Sequence, residues 1–335
     1  MKKLYLSILF VLAALSATAQ ERVLFVGNSL TYFNDMPQIF ESIATEKGHD
    51  VSVHSYTVGG TGLAEHLAAG EVIRVIQSER WDKMVLQPGS GESAGMTLST
   101  DAVARVVRQL ADILHEGSPE AKVYLYEISN GITPGDGRGD YQTYLYSQHR
   151  ILDTVRRIAR LAGVPFAPAG ECFREHYAEH HDLMLHSAFN DIHPNLAGSY
   201  LVACAIFETL YEEPVVPCRF HSTLDASQAE YLQQVADRVV LPRREEWLLG
   251  PASEEEDPDT VGIRQVDYQR LQAHPNPTTG HVHVDADGEV FIYDMLGNRQ
   301  RMNASGGWLD LSQLTPGVYI LQSGDRRQKL IISRP

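Results

Sequence analysis

The sequence predicts an α/β fold, a doubly wound parallel sheet, followed by a small C-terminal antiparallel β-sandwich. Three observations predict it. From residue 21 to about 245, short apolar runs rich in β-branched residues alternate with amphipathic helical stretches. The stretch PASEEEDPDT at 251–260 is acidic, proline-bearing and nearly free of large apolar residues, as a solvated linker would be. Beyond it, apolar residues alternate with polar ones between Asp-Gly, Leu-Gly-Asn and Pro-Gly turns, the pattern of short antiparallel strands.

Taken in chain order, MKKLYLSILFVLAALSATAQ opens with two lysines, continues with an apolar stretch from Leu4 to Leu15 and ends in Ala17-Thr18-Ala19. That is the layout of a secretory signal peptide, residues 1–19, cleaved after Ala19. Its apolar part is too short for a membrane span, and nothing downstream is long or apolar enough to be one. Strands are expected at 22–27, 51–58, 82–87, 121–128 and 164–168, and helices at 35–47, 62–79, 100–116 and 141–162. Alternation of this length implies right-handed crossovers, helices on both faces of the sheet, and ligands beyond the carboxyl ends of the strands. The expected division is a domain at 20–248, an acidic linker at 249–266 and the sandwich at 267–335.

With 28 Lys and Arg against 43 Asp and Glu, the formal charge is −15. Such a surface repels nucleic acid and anionic membranes, so neither is an expected partner. Three cysteines, Cys172, Cys204 and Cys218, allow at most one bridge, and stability must rest on a hydrophobic core.

The chemistry concentrates at strand ends. In ERVLFVGNSLTYF, the first strand stops at Gly27-Asn28-Ser29, which presents a serine on a glycine turn. A hydroxyl is a poor nucleophile without a base to take its proton and donors to hold the oxyanion. Val58-Gly59-Gly60-Thr61-Gly62, after the second strand, can bring free backbone N–H groups close to a substrate. Asn190-Asp191-Ile192-His193-Pro194-Asn195 sets a histidine just before an apolar helix, with carboxylate and amide neighbours, as a general base requires.

In this order the three blocks resemble the SGNH (GDSL-like) hydrolase family. Its first block, Gly-Asp-Ser-Leu, reads here Gly27-Asn28-Ser29-Leu30; its second-block glycine matches Gly59 or, preferably, Gly60; its last block matches His193-Pro194. The resemblance spans most of 21–212 and implies a flavodoxin-like three-layer sandwich that needs no cofactor or metal. It implies Ser29 as nucleophile, His193 as base, and the N–H groups of Ser29 and Gly60 as oxyanion donors. Two positions depart from the family. The third block, Gly-x-Asn-Asp, is replaced by Leu86-Gln87-Pro88-Gly89-Ser90-Gly91-Glu92, so Gln87 is the expected substitute donor. The acid normally stands three residues before the histidine, where this chain has Asn190; Asp191 is the expected acid instead. Asn28, Asn190 and Ser90 are expected neighbours of the site. HPNPTTG, VFIYDMLGN and LDLSQLTPGVYIL resemble the C-terminal sorting domain of the Bacteroidetes type IX secretion system, which implies the secretion machinery as a partner. The expected protein is an exported, surface or secreted serine esterase acting on an ester, such as O-acetyl groups on glycans. The alternative is a non-catalytic glycan-binding protein on a decayed fold of the same type.

Other features are expected to be structural. His176 and His180, four apart in ECFREHYAEHH, read as a solvated helix face without a third metal ligand. Gly137-Arg138-Gly139-Asp140 reads as a flexible loop, and Met84 and Met96 as packing residues. Trp81 and Trp247 either pack or line a pocket, while Phe291, Tyr293 and Tyr319 read as sandwich core.

Overall fold

The computed structural model describes residues 20–135, 139–250, 271–286, 288–293, 299–323 and 326–333. The expected signal peptide, Gly137 and Arg138 of the expected loop, and most of the acidic linker lie outside the described residues. The chain divides into two compact units, Met1–Ala252 and Ser253–Pro335.

In the first unit β1 (Glu21–Gly27) leads through a short α1 (Ser29–Tyr32) and a 3-10 turn (Phe33–Asp35) into α2 (Met36–Glu46). There follow β2 (Val51–Thr57), α3 (Leu63–Ala69), α4 (Glu71–Ser78), β3 (Lys83–Leu86), α5 (Ser90–Ser93), α6 (Thr100–Gly117) and β4 (Lys122–Tyr126). The unit continues with α7 (Tyr141–Ala162), β5 (Phe166–Ala167), α8 (Ala169–Glu179), α9 (Leu196–Tyr211) and α10 (Ala226–Val239). The five strands are parallel in the order β2-β1-β3-β4-β5. Val23 to Val26 in β1 are wholly buried, as expected of a central strand covered on both faces. The chain passes from β1 to β2 on one side and then returns to β3 on the other. The crevice of such a sheet therefore opens at the carboxyl end of β1, where Gly27-Asn28-Ser29 stands.

Two elements differ from expectation for local reasons. The helix expected at 62–79 is two helices, because Gly70 adopts φ +78°, ending α3 and starting α4. The strand expected at 164–168 shrinks to Phe166–Ala167, since Pro165 and Pro168 on either side have no N–H to give a ladder.

The core explains several single residues. Helix α9 is buried almost throughout. Trp81 and Trp247 are buried, their indole N–H groups donating to Ile76 O and Val240 O at 2.9 and 3.0 Å, so both pack. Met84 is buried, but Met96 is 82% exposed, which corrects the packing role expected for it. Cys172, Cys204 and Cys218 are all free and buried.

In the second unit, β6 (Ala273–His274), β7 (His281–Val284), β8 (Gly288–Tyr293), β9 (Arg299–Ala304), β10 (Trp308–Asp310), β11 (Gly317–Ser323) and β12 (Arg326–Ile332) form two antiparallel sheets. Their orders are β10-β7-β6 and β12-β11-β8-β9. Val282, Val284, Val290, Ile292, Leu309, Leu321 and Leu330 supply the core. Tyr319 is buried with them, whereas Phe291 and Tyr293 are only half-buried. Period-two alternation in β8 turns Val290 and Ile292 inward, and so the two aromatics take the other face.

Candidate active site

Gly27 is required by its surroundings. A Cβ there would press on Thr31 Oγ1 and lie 2.7 Å from Gln87 Oε1, so any other residue would displace the turn. Asn28 fixes that turn three ways. Its Oδ1 accepts the Leu30 N–H at 3.0 Å, its Nδ2 donates to Thr61 O at 3.0 Å, and its N–H donates to Gln87 Oε1 at 2.9 Å. Ser29, the next residue, is half-buried and opens α1.

The partner of Ser29 arrives from the segment before α9. Residues 186 and 194 form an antiparallel bridge, and the Ser187 N–H donates to His193 O at 2.9 Å, closing a small hairpin. Within it Asn190 takes the left-handed conformation, φ 62°, which asparagine tolerates better than most residues. Its N–H is held by Ile132 O at 2.7 Å. This one residue makes good the shifted spacing, because it swings Asp191 back toward the histidine. Asp191 Oδ1 accepts from His193 Nδ1 at 2.6 Å and from the His193 N–H at 2.9 Å. On the other side of the ring, His193 Nε2 lies 2.8 Å from Ser29 Oγ. Phe33 stacks on the imidazole, centroids 4.3 Å apart, and Asn34 Nδ2 donates to Pro194 O at 3.0 Å, so the turn after α1 holds both the ring and the loop that carries it. Hydrogen bonding from the His193 N–H, foremost, keeps the Asp191 carboxyl below the usual carboxylate range. The cap of α9 is Asn195, whose Oδ1 accepts the Gly198 N–H at 3.0 Å, so Asp191 is not occupied as a helix cap.

The remaining expected residues divide. The N–H groups of Ser29 and Gly60 have no acceptor among the described residues, and Gly60 is exposed with φ +75°. Gln87 does not fit the donor role expected of it. It is buried, its Nε2 donates to Pro88 O, and its Oε1 takes the N–H of Asn28 and the hydroxyl of Thr31. It braces the serine turn from behind. Ser90 is exposed at the start of α5.

Several supporting residues have no family signature. Glu92 is buried, and its carboxylate accepts the N–H groups of Leu63, Ala64 and Gly89 at 2.9, 3.0 and 2.8 Å. It thereby caps α3 and ties the Gly60 loop to the loop after β3. Beneath β1, the buried His66 places Nε2 2.8 Å from Gly27 O, and burial holds its imidazole below the ordinary histidine range. His186, at the foot of the hairpin, lies 3.2 Å from Ser129 Oγ and 3.1 Å from the Tyr177 hydroxyl; burial lowers it to about 4. His176 is buried rather than solvated, its ring nitrogens engaged by the Tyr231 hydroxyl and Leu183 O, both at 2.8 Å.

A hydroxyl on an imidazole and an imidazole on a carboxylate stand together after β1, and N–H groups without a described acceptor follow β1 and β2; these are parts that acyl transfer uses.

Comparison with known proteins supplies the context. Residues 272–333 match the family described as secretion system C-terminal sorting domain. The chain carries that sorting domain. It marks a secreted or cell-surface protein, and among the described residues no helix is long and apolar enough to cross a membrane. The solved structure of a DUF4886 family protein from Bacteroides uniformis shares the fold, with a TM-score of 0.54 at 17% identity over 65% of this chain and 93% of that one. Axe2, an acetylxylan esterase from Geobacillus stearothermophilus, gives a TM-score of 0.43 at 16% identity, covering 56% of this chain and 93% of that one. No curated protein matches the sequence.

Proposed function

We propose that the first unit is a serine esterase of the SGNH type. The observation that carries this reading is the 2.8 Å contact between Ser29 Oγ and His193 Nε2, made by residues 164 apart in sequence. His193 takes the proton from Ser29 as the hydroxyl attacks an ester carbonyl. Asp191 holds the proton-bearing Nδ1 and offsets the charge of the imidazolium. The N–H groups of Ser29 and Gly60 receive the oxyanion, and the protonated His193 then gives its proton to the leaving alcohol. Water activated by His193 releases the acid and restores the serine. With Gln87 turned inward, the oxyanion has two donors in place of three, and one such donor is worth roughly 10²–10³ in rate. The substrate we assign is an O-acyl ester, such as O-acetyl, on a glycan met outside the cell. A leader at 1–19 would deliver the chain to the periplasm, and the sorting domain would carry it across the outer membrane.

Hydrolysis of 4-nitrophenyl acetate tests the reading. Turnover by the wild type that disappears in Ser29→Ala and in His193→Ala, with unchanged circular dichroism, is the expected result. A folded wild type without turnover would leave a glycan-binding protein as the better reading.

A further inference from the structure

Among the described residues of the first unit, six large hydrophobic side chains are exposed, and five of them lie outside the long helices: Tyr32 ends α1, Val58 follows β2, Met96 and Leu98 lie between α5 and α6, and Phe189 is in the hairpin before α9. Single exposed surface residues need no explanation, but three of these, Tyr32, Val58 and Phe189, adjoin candidate site residues in the chain. Tyr32 belongs to the helix that Ser29 opens. Its hydroxyl lies 3.1 Å from the position a Cβ would take on Gly59, and its ring is 5.8 Å from Phe33, which stacks on His193. Val58 immediately precedes Gly59-Gly60. Phe189 is on the hairpin that carries Asp191, packed close to Gly139.

The same loops are one-sided in charge. Segments 27–35, 57–62, 87–99, 127–135, 139–140 and 186–195 contain no lysine or arginine; Arg138 lies outside the described residues. They do contain the acids Asp35, Asp140 and Asp191 at exposed or half-buried positions, with Glu92 and Glu127 buried behind them. In these segments an anionic substrate would meet carboxylates and no described lysine or arginine.

Resting on the esterase reading, we propose that the site takes an uncharged ester of a pyranose and discriminates against its uronic acid counterpart. Partly exposed aromatic rings offer an apolar face beside a hydrogen-bonding tip, which matches a sugar ring with apolar C–H faces and a hydroxylated edge. Tyr32, three residues after Ser29, and Phe189, two residues before Asp191, supply such faces, and the Tyr32 hydroxyl can bond to the edge. A neutral ring approaches without electrostatic cost, whereas a carboxylate on the same ring is repelled by Asp35, Asp140 and Asp191 together.

The test compares a monoacetylated methyl glucopyranoside with the matching acetylated methyl glucuronide, with 4-nitrophenyl acetate as a control for the esterase itself. At low ionic strength the neutral sugar should be cleaved with a kcat/KM about tenfold or more above the uronate, and the ratio should shrink as salt is raised to about 0.5 M. Tyr32→Ala should raise KM for the glucoside about three- to tenfold, and by less for 4-nitrophenyl acetate. Turnover of 4-nitrophenyl acetate with no preference for the glucoside, or with neither sugar ester cleaved, overturns the proposal and leaves the esterase standing. Absence of turnover on all three removes the esterase reading and this proposal with it.

Discussion

Replacing Asp191 with asparagine keeps the size of the side chain and removes its charge. In the folded protein its Oδ1 receives both the Nδ1 and the backbone N–H of His193, at 2.6 and 2.9 Å. When His193 takes the Ser29 proton, the carboxylate faces an imidazolium across a charge separation of about 4 Å. The two side chains are 35% and 28% exposed, which places the pair between surface and interior. With an effective dielectric of about 20 to 40, Coulomb's law gives roughly 2–4 kcal/mol of transition-state stabilisation, or about 30- to 1000-fold in kcat. The amide could add to the loss. With its nitrogen turned toward Nδ1, it would drive the ring proton to Nε2, which could then no longer accept from Ser29. Steady-state turnover of 4-nitrophenyl acetate by Asp191→Asn, at matched folded fraction, reads the effect. A loss of no more than about threefold would show that Asp191 does not bear the imidazolium charge assigned to it.

Three further outcomes follow from the same geometry. Asn190→Gly should retain most activity because glycine adopts φ 62° freely, while Asn190→Val should lose activity and about 1–2 kcal/mol of stability; equal behaviour in denaturant melts and turnover would refute the left-handed hinge. Glu92→Gln replaces an acceptor of three N–H groups with a side chain that must present a donor to one of them, and should lower kcat on 4-nitrophenyl acetate about tenfold with a smaller change in KM. Unchanged kcat would separate the Gly60 loop from catalysis. His186 is held at about 4 against roughly 6.5 unfolded, so its burial costs nothing above about pH 6.5 and costs up to roughly 3 kcal/mol as the pH falls to 4. The unfolding free energy of the wild type, measured relative to His186→Asn, should therefore decline over that interval, and a constant difference would contradict it.

What the sequence discloses and what it hides have different physical sources. The sheet follows from alternation, and the order of the blocks is enough to bring Ser29 and His193 to one strand end. The departure at the acid is legible only in part. Asp191 stands one residue too near the histidine, and nothing local announces that Asn190 would turn left-handed under the hold of Ile132 O. Gln87 misleads because its residue type fits a donor, while its orientation is decided by Asn28 and Thr31, residues distant in sequence. Glu92 has a visible cue, a glutamate three residues after Gly89, yet two of its three partners are the first residues of α3, distant in sequence. Exposure is harder still. Met96 and the aromatics of β8 are residue types suited to a core, but Met96 falls between α5 and α6 where no periodicity assigns it a face, and the phase of β8 leaves Phe291 and Tyr293 half-buried.

The most direct measurement is peptide mapping after treatment of the wild type with a fluorophosphonate, which reacts preferentially with a serine activated by a neighbouring base. The expected result is one phosphonate per chain, on the peptide containing Ser29, and none in His193→Ala. A modification found on another serine, or a folded wild type that remains unmodified, would contradict it.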